Sequence, residues 1–417
     1  MKKVAILTSF VGKIDPAYSL CNVVGNQLKM LVKYGYRPTL IVRSLEEPFG
    51  IWANPLVTVK TIPDVILDPV TGEIPDMDKF RADSIESAKA IHELLEGHDV
   101  CITHDTIFQK GELIFNAAAR MVAEEMPKLR WLHWIHSGPE VPPNDVKPPF
   151  DLRYLPFPHS YIVYPNAYDI GRVARMYHIE ETDVKVCNHP TDICEFLGFS
   201  DDTTTFIEKK KILEADVIAV YPVRLDRGKQ PHKLINIFGH LKKLGRNVRL
   251  IIVDFHSTGG DKKAYREEMK KQLSELGLTK NEIIFMSEYD KKFEYHVPNS
   301  MIRDLLLISN LFIQASTTET YSLIAQEAAL CKNLLVLNDD FPPMRELYGP
   351  DALYKKFSSV LIDTKFDNEY SAYFDMARYI DYYLSHDKAV ALNTKIRQTR
   401  NLDYIFTKQF EKLLYAE

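Results

Sequence analysis

Short apolar runs alternate with longer amphipathic stretches along this chain, and the alternation occurs in two successive blocks. In the first block the runs are VAILTSF, TLIVRS, LVTVKTI, DVCITH, LRWLHWIH and YIVYP. Stretches with helical spacing lie between them, such as AYSLCNVVGNQLKMLVKYGY and IFNAAARMVAEEMPK. In the second block the runs are DVIAVYPV, VRLIIVDF, EIIFMS, LFIQAS and NLLVLN. A strand that is apolar along its whole length suits a parallel sheet covered on both faces. Strands alternating with helices predict such a sheet with helices on either side. Two blocks therefore predict an α/β protein of two doubly wound, Rossmann-like domains facing a central cleft. A chain of 417 residues is long enough to bury both cores.

The polar cluster SDDTTTFIEKKK at 200–211 marks the expected boundary. The expected domains are 1–200 and 201–380, with helices over 381–417 packing back on the first. Two segments interrupt the pattern: the acidic PDVILDPVTGEIPDMDKF at 63–80, and 137–160, which carries seven prolines. Long loops inside a compact domain are either functional or ordered insertions. The net charge of −5 and pI near 6.3 argue against nucleic-acid binding by bulk charge. Five cysteines without a CxxC pattern read as reduced, mostly buried thiols. The N-terminal MKKVAILTSFVGKID reads as a first strand rather than a signal peptide, and no stretch is long enough to span a bilayer. A cytoplasmic protein is expected, in a bacterial cell or a phage-infected host.

Ligands of open parallel sheets bind beyond the carboxyl ends of the strands, so the residues that follow each run are the candidates. After LFIQAS comes STTETYSLIAQEAAL, with Glu319 and Glu327 eight positions apart. On a continuous helix the two carboxylates would stand roughly 12 Å apart along the axis. Free amides at a helix start favour a phosphate, and Thr320, Tyr321 and Ser322 would supply them. After DVIAVYPV comes RLDRGKQP, with Arg224 and Lys229 five apart on a turn. Two cations at a strand end clamp a diphosphate and stabilise charge on a leaving group. Taken singly, each motif reads as well as a capping glutamate or a solvated turn.

Together, VRLDRGKQ and STTETYSLIAQEA resemble motifs of the retaining GT-B glycosyltransferases, a superfamily that includes glycogen synthase, sucrose synthase and bacterial mannosyltransferases. Those enzymes carry a GRL-x3-KG stretch and an SxxEGFGLxxxEA stretch, and the E-x7-E spacing is met here. The resemblance implies a first domain for the acceptor and a second for a nucleotide-sugar donor. It implies that Arg224 and Lys229 bind the diphosphate, Glu319 stands by the sugar, and Glu327 holds the ribose. DVCITHDT resembles the family's strand ending in a histidine, which gives His104, with Asp105 beside it. LRWLHWIHSGPE resembles the strand whose terminal histidine faces the sugar, which gives His136, with Trp134 before it. The first-strand turn reduces to Gly12, and EIIFMSEY resembles the strand whose exit loop faces the base, which brings in Ser287. The catalytic set is thus Glu319, Lys229, Arg224 and His136. Donor contacts are expected from Glu327, Thr320, Tyr321, Ser322, Gly12 and Ser287. His104, Asp105 and Trp134 are expected on the acceptor side.

The implied chemistry is front-face transfer of a hexosyl or pentosyl group with retention, from a UDP-sugar first of all, with no metal and no other cofactor. EGFG is replaced by ETYS, and the family's PNGVD asparagine by His189, so donor sugar and acceptor stay open. A small molecule, a glycan or hydroxymethylated cytosine in DNA, as for the phage members of the superfamily, all remain as acceptors. For the DNA reading a flipped base would stack on Trp131, Trp134 and the aromatics of DLRYLPFPHSY. A non-catalytic nucleotide-sugar binder and a GT-B-shaped epimerase are the rival functions. His133 and His136 form HxxH without a third ligand, and Asp76-Met77-Asp78 reads as solvated surface rather than a metal site. Lys229→Ala is expected to keep the fold and lose most turnover, measured as sugar transfer per enzyme.

Overall fold

The computed structural model describes residues 1–255, 262–317, 319, 321–357 and 370–415. The chain forms two compact units: Met1–Asp192 with Arg400–Glu417, and Ile193–Thr399. The helix Lys388–Thr399 stays with the second unit, so only the segment from Arg400 onward returns to the first.

The first unit holds seven strands: β1 (Val4–Leu7), β2 (Thr39–Val42), β3 (Thr58–Thr61), β4 (Val100–His104), β5 (Arg130–Trp134), β6 (Ser160–Tyr164) and β7 (Val184–Val186). They pair in the order β3-β2-β1-β4-β5-β6-β7, and every pairing is parallel. The second unit holds β8 (Val217–Arg224), β9 (Val248–Phe255), β10 (Ile283–Phe285), β11 (Leu311–Gln314), β12 (Leu334–Asn338) and β13 (Leu353–Lys355). Their order is β10-β9-β8-β11-β12-β13, again all parallel. Both sheets reverse direction of growth next to their first strand, the topology of a doubly wound Rossmann-like domain.

Two strands escaped the sequence reading, β7 and β13, each three residues long and each at a sheet edge. LVTVKTI was expected to be buried, but the four residues of β3 are exposed because β3 is the other edge of its sheet. EIIFMS splits: after Phe285 the chain turns into a short helix, Met286–Tyr289.

Side chains of β5 show how the first sheet divides its core. Trp131 faces one side with Phe115, Phe157 and Tyr177, while Leu132 and Trp134 face the other with Ile6, Leu28 and Val163. Successive residues of a strand point to opposite faces, so one strand serves both layers. The returning C-terminal segment completes the second layer: Phe406, Phe410, Leu413 and Leu414 are buried in it. Phe406 stacks on Tyr34, just past the helix Ser19–Lys33, at 3.9 Å between centroids, and Phe410 lies 5.6 Å from Trp134.

Both interrupting segments are ordered. Asp76 caps the helix Met77–Leu95 by accepting from the amides of Asp78 and Lys79, which explains the acidic pair at that turn. The proline-bearing segment is tied down by arginines. Arg120 donates to the carbonyls of Leu152, Leu155 and Pro156, and buried Arg153 donates to that of Phe108 at 2.6 Å. Among the described residues no helix is long and apolar enough to cross a membrane.

Phe410 fills the layer between Trp134 and Phe406, so its loss leaves a cavity. Phe410→Ala is expected to destabilise the first unit by about 3–5 kcal/mol, read as a lower midpoint in urea unfolding.

Candidate active site

The candidate residues gather beyond the carboxyl ends of the strands in each unit, where side chains leave the sheet and are no longer needed for its packing. In the second unit two loops meet there. The loop after β8 makes a short turn, Arg227–Lys229, capped by Asp226, which accepts from the Lys229 amide at 3.1 Å. The loop after β11 runs alongside, and the Thr317 amide donates to the Gly228 carbonyl at 2.8 Å. Beneath them Tyr221, buried in β8, donates its hydroxyl to the Lys229 carbonyl at 2.7 Å. Asn338, at the end of β12, donates to the Ser316 carbonyl at 3.0 Å.

On this platform the Lys229 ammonium donates to Glu319 Oε2 at 2.7 Å. The two side chains are 21% and 24% exposed, so the pair is screened from bulk water yet reachable. Gln314, the last residue of β11, donates to Ser316 Oγ at 2.8 Å and to Glu319 Oε2 at 3.4 Å. Its own oxygen accepts from Ser322 Oγ at 3.2 Å. Gln314 thus orients the carboxylate from below. Arg224 ends β8 with its side chain exposed, at the same carboxyl end of the sheet as this pair. An ammonium has three donors, so Lys229 can hold Glu319 and a phosphate oxygen together.

The glutamates do not share one helix. The helix begins at Leu323, and Ser322 before it takes a left-handed conformation at φ 65°. That residue breaks the backbone between Glu319 and the helix, so the axial spacing expected for two turns does not apply. Glu327 lies in the second turn, exposed. Ala325 is the first residue of the helix to bond back, to the Ser322 carbonyl at 3.1 Å. The donors at the helix start are therefore the amides of Leu323 and Ile324 rather than those of residues 320–322. Tyr321 projects outward, Ser322 is buried against Gln314, and Thr320 lies outside the described residues.

Ser287 is occupied by the protein itself. Its amide and hydroxyl both donate to the buried carboxylate of Asp254, at 3.0 and 2.6 Å, and Arg266 bridges the same pair. Gly12 adopts φ 73°, and its amide donates to Ser44 Oγ at 2.7 Å, so that donor is already engaged. Trp134 is 1% exposed and belongs to the core under Phe410, so it offers no acceptor surface. Trp131, Tyr154 and Phe157 are buried as well, while Tyr161, the last aromatic of that stretch, is half-buried.

The first unit gathers His104, Asp105 and His136, together with two residues that the sequence reading did not place there. His104 ends β4, and its Nδ1 lies 2.9 Å from His136 Nε2, while its Nε2 lies 3.0 Å from Gln27 Oε1. His136 Nδ1 lies 3.3 Å from His189 Nε2. Asp105, at φ 54°, accepts the His136 amide on Oδ1 at 2.8 Å. Burial holds the His104 ring well below its ordinary pKa and pushes His136 down to about 4, helped by neighbouring His189. Burial also lowers His189. Burial pushes the Asp105 carboxyl up to about 6, against the pull of the His136 amide. His133 points the other way: its Nδ1 pairs with Thr103 Oγ1 at 2.7 Å, and its ring packs on Phe157. Among the described residues no group of three or more His, Cys, Asp or Glu is placed to hold a metal ion.

Residues 202–373 match the family model described as "Glycosyl transferases group 1". The matched residues lie within the second unit. No curated protein matches the chain in sequence. Similar solved structures include the Anabaena protein Alr3699/HepE in complex with UDP, at 12% identity over 100% of both chains and a TM-score of 0.35. A glycosyltransferase from Rickettsia africae is 14% identical over 100% of this chain and 99% of that one, with a TM-score of 0.36. A UDP-forming trehalose-phosphate synthase from Burkholderia xenovorans is also 14% identical, over 100% and 99%, with a TM-score of 0.36. At such identities and scores these likenesses carry no weight for activity. The matched segment contains Arg224, Lys229, Glu319 and Glu327 together.

Histidines held below their ordinary value favour the folded state above about pH 6.5, and this contribution is lost as pH falls through the folded value, because the unfolded chain takes up protons first. His104, His133, His136 and His189 all act in this sense. Asp105 acts in the opposite sense: raised to about 6, its neutral form favours the folded state at acid pH, and this is lost as pH rises toward 6. The four rings outweigh the one carboxyl. The melting temperature is expected to fall between about pH 7 and pH 5, and to fall more steeply in Asp105→Asn, measured by calorimetry.

Proposed function

We propose that the chain is a retaining glycosyltransferase that moves a sugar from a nucleotide-sugar donor to an acceptor hydroxyl. The observation that carries this reading is the Lys229–Glu319 pair at 2.7 Å, beyond the ends of β8 and β11 and inside the group 1 segment. In this reading the second unit binds donor and the first binds acceptor. Arg224, Lys229 and the amides of Leu323 and Ile324 take the diphosphate. Glu319, oriented by Gln314, meets a hydroxyl of the sugar, and Glu327 meets the ribose.

The bond from the anomeric carbon to the leaving phosphate oxygen breaks as the acceptor oxygen bonds to the same face of that carbon. The acceptor proton passes to the leaving diphosphate. The protein works by position and by stabilising the charge that develops on the leaving group. Lys229 sits in a half-buried site, where its charge acts more strongly than it would in water. The scheme needs no metal and no resident cofactor. A UDP-sugar is the first donor to test. A small molecule, glycan end or other alcohol would serve as acceptor.

A ligand that binds only the folded state raises its stability, by about 2.7 kcal/mol at a hundred times Kd. In a melting panel with UDP, GDP, ADP, CMP and dTDP, UDP is expected to raise the melting temperature, and Arg224→Ala to abolish the rise. A panel with no shift for any nucleotide would overturn the assignment. The anomeric coupling constant of the product, read by proton NMR, separates retention from inversion.

A further inference from the structure

His136 was expected to meet a sugar hydroxyl, yet both of its ring nitrogens already have partners, His104 and His189. The three rings lie nearly parallel, at 5.2 Å and 13° for His104 and His136, and at 5.1 Å and 28° for His136 and His189. They come from three places in the chain: the end of β4, the loop after β5, and the segment after β7. Beyond His104 lies Gln27, a buried amide on the helix Ser19–Lys33. Gln27, His104, His136 and His189 thus form one line of hydrogen bonds.

A neutral imidazole has one N–H and one lone pair, so each link fixes the next. The side-chain oxygen of Gln27 can only accept. His104 must then carry its proton on Nε2 and accept on Nδ1. His136 must donate from Nε2 and accept on Nδ1. His189 must donate from Nε2. The last atom of the line is His189 Nδ1, which is left with its lone pair. Burial keeps all three rings neutral near pH 7, as this pattern requires.

We propose that Gln27, His104 and His136 form a directional chain that presents His189 Nδ1 as a hydrogen-bond acceptor for a hydroxyl group of the bound substrate. His189, rather than His136, is the substrate contact in this unit, and Gln27 is a positioning residue. The tautomers follow from the Gln27 oxygen facing His104; that the hydroxyl belongs to a sugar or its acceptor rests on the function proposed above. If the Gln27 amide were turned over, every link would reverse and His189 would offer a donor instead. The Gln27 orientation therefore decides which kind of group the site selects.

Long-range 1H–15N correlation spectra of the full chain, labelled at histidine, report each tautomer. At pH 7.5 His104, His136 and His189 are expected as Nε2–H forms. Nδ1–H forms at all three, or a mixture in the wild type, would overturn the proposal. Gln27→Leu removes the acceptor and is expected to give mixed tautomers at His189. It is also expected to lower kcat by about tenfold or more, with the UDP-induced melting shift unchanged. Gln27→Glu keeps an acceptor and is expected to restore the Nε2–H pattern and most of kcat; should Gln27→Leu not fold, the spectra of the wild type and of this variant decide. His189→Phe keeps the stacked ring and is expected to lose transfer while retaining the UDP shift. Unchanged transfer in His189→Phe would refute the contact. An absent UDP shift in the wild type would sink the proposed function instead, leaving the tautomer result to stand or fall separately.

Discussion

The amide of Thr317 and the carbonyl of Gly228 lie 2.8 Å apart, and this bond joins the loop after β11 to the loop after β8. Without it Lys229 and Glu319 would sit on independent loops. With it, the two charges belong to one rigid edge. Tyr221 and Asn338 hold the same edge from below, through the carbonyls of Lys229 and Ser316. Each of these bonds satisfies a backbone carbonyl of the two loops. A single set of bonds therefore supports the strand ends and orients the charged pair.

The fold was legible because a parallel strand covered on both faces leaves a continuous apolar run. The exceptions share a cause. β7 and β13 are three residues long and lie at sheet edges, where few apolar side chains are required. LVTVKTI carries the composition of a core strand, yet β3 is an edge with one neighbour. Composition reports what a strand can bury, whereas position in the sheet depends on pairings between distant segments.

The charged site was legible in part. Arg224, Lys229 and Glu319 were singled out from spacing and resemblance, and the fold puts them beyond the carboxyl ends of the neighbouring strands β8 and β11. The register of the helix was not, because a left-handed Ser322 separates Glu319 from it, and serine gives little sign of that conformation. Gln314 had a detectable signal, a polar residue closing an apolar strand. Gln27 had none: its bond to His104 spans 77 residues, and that of His136 to His189 spans 53. Trp134 was expected on the acceptor side, but the segment that covers it lies near residue 410.

That covering segment makes the order of folding differ from the order of the sequence. The first unit begins at Met1, yet its layer over Trp134 lacks Phe406, Phe410, Leu413 and Leu414 until the ribosome has passed the whole of the second unit. Domains made from one continuous stretch fold as they emerge. Here the second unit is continuous and can close first, while the first waits with an apolar face uncovered. The amide of Thr191 and the carbonyl of Arg400, 2.7 Å apart, mark where the chain leaves and re-enters. The interval between those two residues is the time during which that apolar face of the nascent chain stays uncovered.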